Sequence, residues 1–286
     1  MKEHQPFFSV IIPVYNRKEL LIRALDSVLS QTYKSFEVIV VDDNSTDETG
    51  EYLKKLQNIH LVVLSNTRGK GACGSRNEGI ENAKGEWIAF LDSDDWWEST
   101  KLEVVSNFIH SNKSFGVFYS ACFYVSEYDE LNPIPTLGIT GDMSNHLGRM
   151  NPIRGFSGVV VKKSLLRLVG GFDEELPARQ DIDLYFKLSK QSSFYFITNL
   201  LVYVNFGNND RISNNRSRKL IGWLMVYRKY KSNINFLDKL YQQKRISKLA
   251  WDVKRFDILI KYLPGAMLSF VLSIFESQFK LTWSKK

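Results

Sequence analysis

Between residues 7 and 112 four short apolar runs alternate with four stretches of helical periodicity, and no other feature limits the fold as strongly. FFSVIIPV (7–14), FEVIVVDD (36–43), IHLVVLS (59–65) and EWIAFLD (86–92) read as strands. KELLIRALDSVLSQ (18–31) sets Leu21, Leu25, Val28 and Leu29 at helical spacing. STDETGEYLKKLQ (45–57) opens with Ser45 and has Glu48 three residues later, a capping-box pattern. GACGSRNEGIENAKG (71–85) predicts a helix begun and ended by glycine, and ESTKLEVVSNFIHS (98–111) a fourth helix. Strands that are apolar throughout are buried on both faces. The prediction is therefore an α/β fold: a mostly parallel central sheet with helices on both faces.

After residue 115 the pattern loosens. Residues 114–126 are strand-like, and 127–150 are polar with Pro133 and Pro135, which reads as a long loop of the kind that serves as a lid. A short strand, a helix and a glycine turn follow over 156–174, then a helix over 181–191 and a strand pair or one long strand over 193–206. From Asn214 the chain reads as helical and basic. Residues 211–286 carry 17 Lys/Arg against 4 Asp/Glu, whereas 1–210 carry 21 against 27. The expected division is an α/β domain over 1–210, with halves 1–112 and 113–210, and a basic helical extension over 211–286.

That extension predicts contact with an anionic surface. The apolar stretch LPGAMLSFVLSIF (263–275) is too short to cross a bilayer comfortably. Residues 246–286 instead read as a basic amphipathic helix lying in the lipid interface, with Trp251 and Trp283 at headgroup level. Two cysteines, Cys73 and Cys122, give no disulfide framework and fit a reducing cytoplasm. No signal peptide is expected from MKEHQPFFSVIIPVYN. The localisation expected is cytoplasmic, peripheral on the inner face of the plasma membrane.

The chemistry concentrates where strands end. WIAFLDSDDWW (87–97) runs from apolar chain into three carboxylates within four positions. Carboxylates this close repel unless a positive charge sits among them. In a parallel α/β sheet, ligands bind outside the carboxyl ends of the strands. There strand one supplies Pro13, Tyr15 and Arg17, strand two Asp42 and Asp43, and strand four Asp92, Asp94 and Asp95. An Asp-x-Asp pair suits a hard divalent cation, Mg²⁺ or Mn²⁺, that also carries phosphate oxygens. The four histidines, His4, His60, His110 and His146, are scattered and offer no zinc set.

VIIPVYNR (10–17), SVLSQTYKSFEVIVVDDNSTD (27–47), GKGACGSRNEGI (69–80) and FLDSDD (90–95), in this order, resemble the inverting family-2 nucleotide-sugar glycosyltransferases of GT-A fold, bacterial surface-polysaccharide enzymes among them. The resemblance implies that Pro13, Tyr15 and Arg17 line the nucleoside pocket and that Asp43 accepts hydrogen bonds from the base. It places Arg76 near the base or diphosphate, and makes Asp92 and Asp94 the Asp-x-Asp pair. Asp94 would then lie near ribose and metal, with Asp95 a further metal ligand. It implies a general base downstream of a Gly-Phe-Asp turn, here in GGFDEELPARQDIDLYFKL (170–188). The family's Glu-Asp pair reads Gln180-Asp181 in this chain, so Asp181 is the expected base, with Asp183 its neighbour. Trp96 and Trp97 are candidates for stacking on an acceptor sugar or for core positions, and Arg211 and Ser213 for a loop over the diphosphate.

The function implied is metal-dependent, inverting transfer of a hexose from a UDP-sugar to a hydroxyl of a saccharide acceptor, itself lipid-linked, in polysaccharide or O-antigen-type synthesis. Two alternatives come from other classes. A sugar-phosphate nucleotidyltransferase would want a glycine-rich phosphate loop after strand one, where YNRKEL has no glycine. A non-catalytic nucleotide-binding module whose basic tail grips nucleic acid would want a recognised nucleic-acid motif, and the acidic rim repels phosphate. No nucleic-acid partner is expected.

Overall fold

The computed structural model describes residues 5–56, 60–69, 71–126, 131–134, 138–149, 151–206 and 215–283, with side chains as far as Phe270. The four expected strands form as β1 (Phe8–Val14), β2 (Phe36–Asp42), β3 (Leu61–Ser65) and β4 (Trp87–Phe90). The four helices between and after them are α1 (Lys18–Leu29), α2 (Thr49–Lys55), α3 (Ala72–Asn82) and α4 (Lys101–Ser111). Next come β5 (Trp96–Trp97), β6 (Val117–Val125), β7 (Leu131–Pro133), α5 (Ser144–Leu147), β8 (Val159–Lys162), α6 (Lys163–Leu168), α7 (Gln180–Ser189) and β9 (Phe194–Asn205).

These strands make one nine-stranded sheet in the order β3-β2-β1-β4-β8-β6-β9-β5, with β7 on β6. β3, β2, β1 and β4 are parallel. β4 meets β8, and β8 meets β6, antiparallel, while β6 and β9 are parallel. β1 and β2 lie inside the parallel block, so both their faces are covered. Val10, Ile11, Ile12, Val38, Ile39 and Val40 have no exposed surface. Each such side chain contributes on the order of 1.5–3 kcal/mol by leaving water. Gly85 has to be glycine: a Cβ there would lie 2.5 Å from the backbone nitrogen of Ser9.

Two local expectations are corrected, and one strand arises that was not expected. The capping box does not form: α2 begins at Thr49 without a side-chain cap. Ser45 is used elsewhere, its hydroxyl accepting from the Asn16 amide at 2.9 Å and its amide donating to Asp42 at 3.0 Å. The segment read as a long loop over 127–150 carries structure at both described ends: β7 pairs with β6, Gly141 bridges Phe194, and α5 follows. Trp96 and Trp97 form β5 against Tyr203 and Val202 of β9, an antiparallel edge that a two-residue apolar pair could not announce.

The chain divides into two compact units. The first holds Met1–Met143, Asn151–Glu174 and Asp183–Asn208, hence the sheet. The second holds Ser144–Met150, Glu175–Ile182 and Asn209–Lys286. Its helices are α8 (Arg216–Tyr230), α9 (Phe236–Asp252) and α10 (Phe256–Trp283). Asn215 and Asn235 cap α8 and α9, each side chain accepting from the amide three residues on. Among the described residues no helix is long and apolar enough to cross a membrane. The apolar stretch 263–275 is part of the single 28-residue helix α10, which runs through Pro264.

Candidate active site

The rim is built by the ends of the parallel strands. Val14 at the end of β1 is level with Asp42 on β2, and the Asp43 amide donates to the Val14 carbonyl at 2.8 Å. Asn16 (φ 50) and Asn44 (φ 61) take left-handed backbone there, as asparagine tolerates better than most residues. Asp43 is fixed on both oxygens. One accepts from Asn66 Nδ2 at 2.5 Å, the other from the Gly71 amide at 2.8 Å. Gly71 has φ 111, a conformation that favours glycine, and it opens α3. Asp43 thus ties the ends of β2 and β3 to the start of α3, with further lone pairs on each oxygen.

The acidic cluster follows β4. Asp92, Asp94 and Asp95 each offer a carboxylate oxygen, and these oxygens lie within 4.8 Å of one another. Two arginines lie against them. Arg17 Nη1 is 3.0 Å from Asp94 Oδ2, and Arg76 Nη2 is 2.5 Å from Asp92 Oδ1. Arg23 adds a bond to the Asp94 carbonyl at 3.3 Å. Arg76 is no solvated helix residue. It is buried, with its guanidinium 4.9 Å from the Phe156 ring and 5.5 Å from that of Phe172.

Asp95 is the deepest of the three. Its oxygens accept from Ser157 Oγ at 2.6 Å and from the Asn205 amide at 3.0 Å. Burial first, then the charges of Asp94 and Asp92, push its carboxyl well above the usual carboxylate range. Ser157 also accepts from the Asp92 amide at 3.0 Å, and its carbonyl accepts the Trp97 indole N–H at 2.8 Å. One buried serine therefore braces two members of the cluster. Three hard oxygen donors at this separation fit a divalent cation of the Mg²⁺ or Mn²⁺ type, and Asp92 joins the expected pair Asp94 and Asp95 as a possible ligand.

The other expected residues fall as follows. Pro13 is half-buried at the end of β1, and Tyr15 just beyond it is exposed. Trp97 is core. Trp96 is sandwiched between Tyr203, with ring centroids 5.2 Å apart, and Arg23, 3.6 Å from its ring, so both tryptophans have structural partners. Asp181 is half-buried in the first turn of α7, in a segment grouped with the second unit. Asp183 is not on the same helical face, because residues two apart on a helix diverge by roughly 200°. It is fully buried and paired with Lys187 at 3.1 Å. Arg211 and Ser213 lie outside the described residues. Sequence reasoning missed Arg23, Asn66 and Ser157. An isolated Ser or Asn carries no periodicity, and Arg23, six residues after the α1 N-cap Arg17, stands at no spacing that would link the two.

A parallel strand block with antiparallel continuation, and an acidic cluster at its carboxyl end, defines an α/β protein of GT-A type. The chain belongs to glycosyl transferase family 2, whose sequence profile matches residues 9–166. It is 44% identical over 121 residues to the UDP-Glc:alpha-D-GlcNAc-diphosphoundecaprenol beta-1,3-glucosyltransferase WfaP of Escherichia coli, a match covering 42% of this chain and 47% of that one. The chain thus spans about half the length of that relative. Over its fold it is similar to the S. aureus protein TarS (residues 1–349, in complex with UDP-GlcNAc), with TM-score 0.63 and 22% identity over 90% of this chain and 72% of that one. It is also similar to the mannosyltransferase PcManGT of Pyrobaculum calidifontis, solved with GDP-Man and Mn2+, with TM-score 0.60 and 18% identity over 99% of this chain and 84% of that one.

Proposed function

We propose that the chain transfers a hexosyl group, with inversion, from a UDP-sugar to a hydroxyl of a lipid-linked saccharide at the inner face of the plasma membrane, in surface-polysaccharide synthesis. The observation that carries the reading is the convergence of Arg17, Asp43, Arg76 and the three clustered aspartates at the carboxyl ends of β1, β2 and β4. The WfaP name supports the UDP-sugar and a diphosphoundecaprenol-linked acceptor.

In this reading Pro13, Tyr15 and Arg17 border the nucleoside, and Asp43 takes an imide N–H of the base on a free lone pair. Asp92, Asp94 and Asp95 would hold a divalent cation, which when bound supplies positive charge to the departing diphosphate. Arg76 and Arg17 orient the carboxylates that hold it. The acceptor hydroxyl gives its proton to the Asp181 carboxylate as its oxygen bonds to the anomeric carbon. The bond from that carbon to the diphosphate oxygen breaks, and its electron pair leaves with UDP. The Glu of the family pair is Gln180 here, so the base has one negative neighbour fewer.

The test is thermal-shift titration with UDP, GDP and dTDP, with and without Mn²⁺, followed by turnover of the matching nucleotide sugars. UDP alone, and only with the cation, is expected to raise Tm. Asp94→Asn is expected to abolish turnover and the metal dependence. Asp181→Asn is expected to abolish transfer and keep UDP binding, and full activity in that variant would remove Asp181 as the base.

A further inference from the structure

The second unit contains a cationic recess that the transfer reaction does not use. α8 and α9 lie antiparallel, with Arg216 Nη1 3.9 Å from Asp252 at their facing ends. Between them an open cavity of about 470 Å³ is lined by Arg216, Lys219 and Trp223 from α8 and by Arg245, Lys248 and Asp252 from α9. The spacing i, i+3, i+7 on each helix turns these side chains to a common side. Four cations thus face one carboxylate, and Lys219, Arg245 and Lys248 pair with no carboxylate among the described residues. Behind Trp223 stands a fifth cation. The Arg179 guanidinium stacks 3.5 Å from the Trp223 ring, its Nε is buried without a hydrogen-bond partner, and its backbone is held at φ 64. Positive charge is in excess here, with Asp252 beside Arg216 and Asp181 near Arg179 as its acidic neighbours.

The neighbouring helix is apolar on its outer side. Phe256, Ile260, Leu263, Met267 and Phe270 follow one another on α10 at intervals of four and three, and all are exposed, Ile260 by 73% and Met267 by 62%. α9 and α10 run side by side in opposite directions. Trp251 packs edge-on to Phe256 at 6.1 Å, and Lys244 Nζ is 6.0 Å from the Phe270 ring. The α9 row Lys244, Lys248, Trp251 therefore borders the apolar stripe, and Lys248 belongs both to that row and to the recess. An occupant must offer phosphate-like charge and hydrocarbon side by side.

We propose that this recess binds the phosphate group of a membrane lipid, with the α10 stripe seated among the acyl chains. The proposal rests on the membrane location in the reading above, and goes beyond it by assigning the headgroup site to Arg216, Lys219, Arg245 and Lys248.

The full chain is tested by cosedimentation with vesicles of equimolar phosphatidylcholine and phosphatidylglycerol, against pure phosphatidylcholine. Binding is expected to the anionic vesicles. Arg245→Gln/Lys248→Gln is expected to lower partitioning roughly thirtyfold, and Ile260→Ser/Met267→Ser to abolish it. All four positions are exposed, so unchanged Tm is expected in both variants. Unchanged partitioning in Arg245→Gln/Lys248→Gln overturns the recess. Equal competition by free pyrophosphate, or equal loss of binding to a homopolymeric RNA, overturns the lipid as its occupant. Hydrolysis of UDP-sugar by Arg245→Gln/Lys248→Gln should equal that of the parent. If the parent hydrolyses none while the vesicle results hold, the transfer reading falls and the lipid site stands.

Discussion

Replacing Arg76 by Met tests whether the acidic cluster is an electrostatic unit. Arg76 and Asp92 touch at 2.5 Å, with the arginine side chain 10% exposed and the aspartate 32%. Losing one partner of a fully buried pair costs about 3–5 kcal/mol. Water reaches a third of Asp92, so the cost here is nearer about 2 kcal/mol. That lowers Tm by about 3–4 °C in a protein of this size. In the double-mutant cycle with Asp92→Asn, a coupling of about 1–2 kcal/mol is expected, read by urea denaturation without divalent cation. A second readout separates charge from packing. Removing a guanidinium beside Asp92 removes a competitor for any cation held by the cluster, so calorimetry should show Arg76→Met binding Mn²⁺ about tenfold more tightly than the parent. Saturating Mn²⁺ should then recover part of the lost Tm. If the cycle is additive within about 0.5 kcal/mol and Mn²⁺ affinity is unchanged, Arg76 acts only by packing on Phe156 and Phe172, and the electrostatic argument fails.

Three further outcomes follow from other contacts. Lys101 is fully buried over the Trp97 ring, and burial lowers its amine to about 7. The unfolded chain keeps that proton up to about 10.5, so Lys101 weakens stability fully below pH 7 and progressively less as pH rises toward 10.5. Lys101→Met should therefore stabilise at pH 6 by up to about 5 kcal/mol and flatten the pH dependence of urea midpoints between pH 7 and 10. Ser157→Ala leaves the Asp92 amide without its acceptor and Asp95 with the Asn205 amide but without the serine hydroxyl, and should weaken Mn²⁺ binding about 10–100-fold by calorimetry. Gly85→Ala drives a methyl into the backbone of Phe8 and Ser9 and should lower stability by about 2–4 kcal/mol, seen as a reduced urea midpoint with unchanged slope.

The parallel half of the fold is legible because β1, β2 and β4 are buried on both faces and must be apolar throughout. Their carboxyl ends stand out as abrupt changes of polarity at Asn16, Asp42 and Asp92. Beyond β4 that contrast fades. β5 is two tryptophans long, and its place is set by Tyr203 and Arg23, residues far off in sequence. β7 is three exposed residues that gain their conformation from β6. The capping box failed for a related reason: Ser45 had a tertiary partner in Asn16, and a local pattern cannot show that.

The arginines change what the crowding of carboxylates means. Three acids in four positions ask for positive charge, and a divalent cation is one answer. Arg17 and Arg76 are another, already in place on Asp94 and Asp92, while Asp95 relies on Ser157 and the Asn205 amide. The cluster therefore needs no cation to hold its shape, because two of its three charges are matched within the protein. A cation that enters meets oxygens fixed beforehand, at lower cost in side-chain ordering. It also meets two guanidiniums that weaken its hold. Such a site keeps its geometry between occupants and releases them, which is what the proposed transfer would ask of a centre that discharges a diphosphate after each turnover.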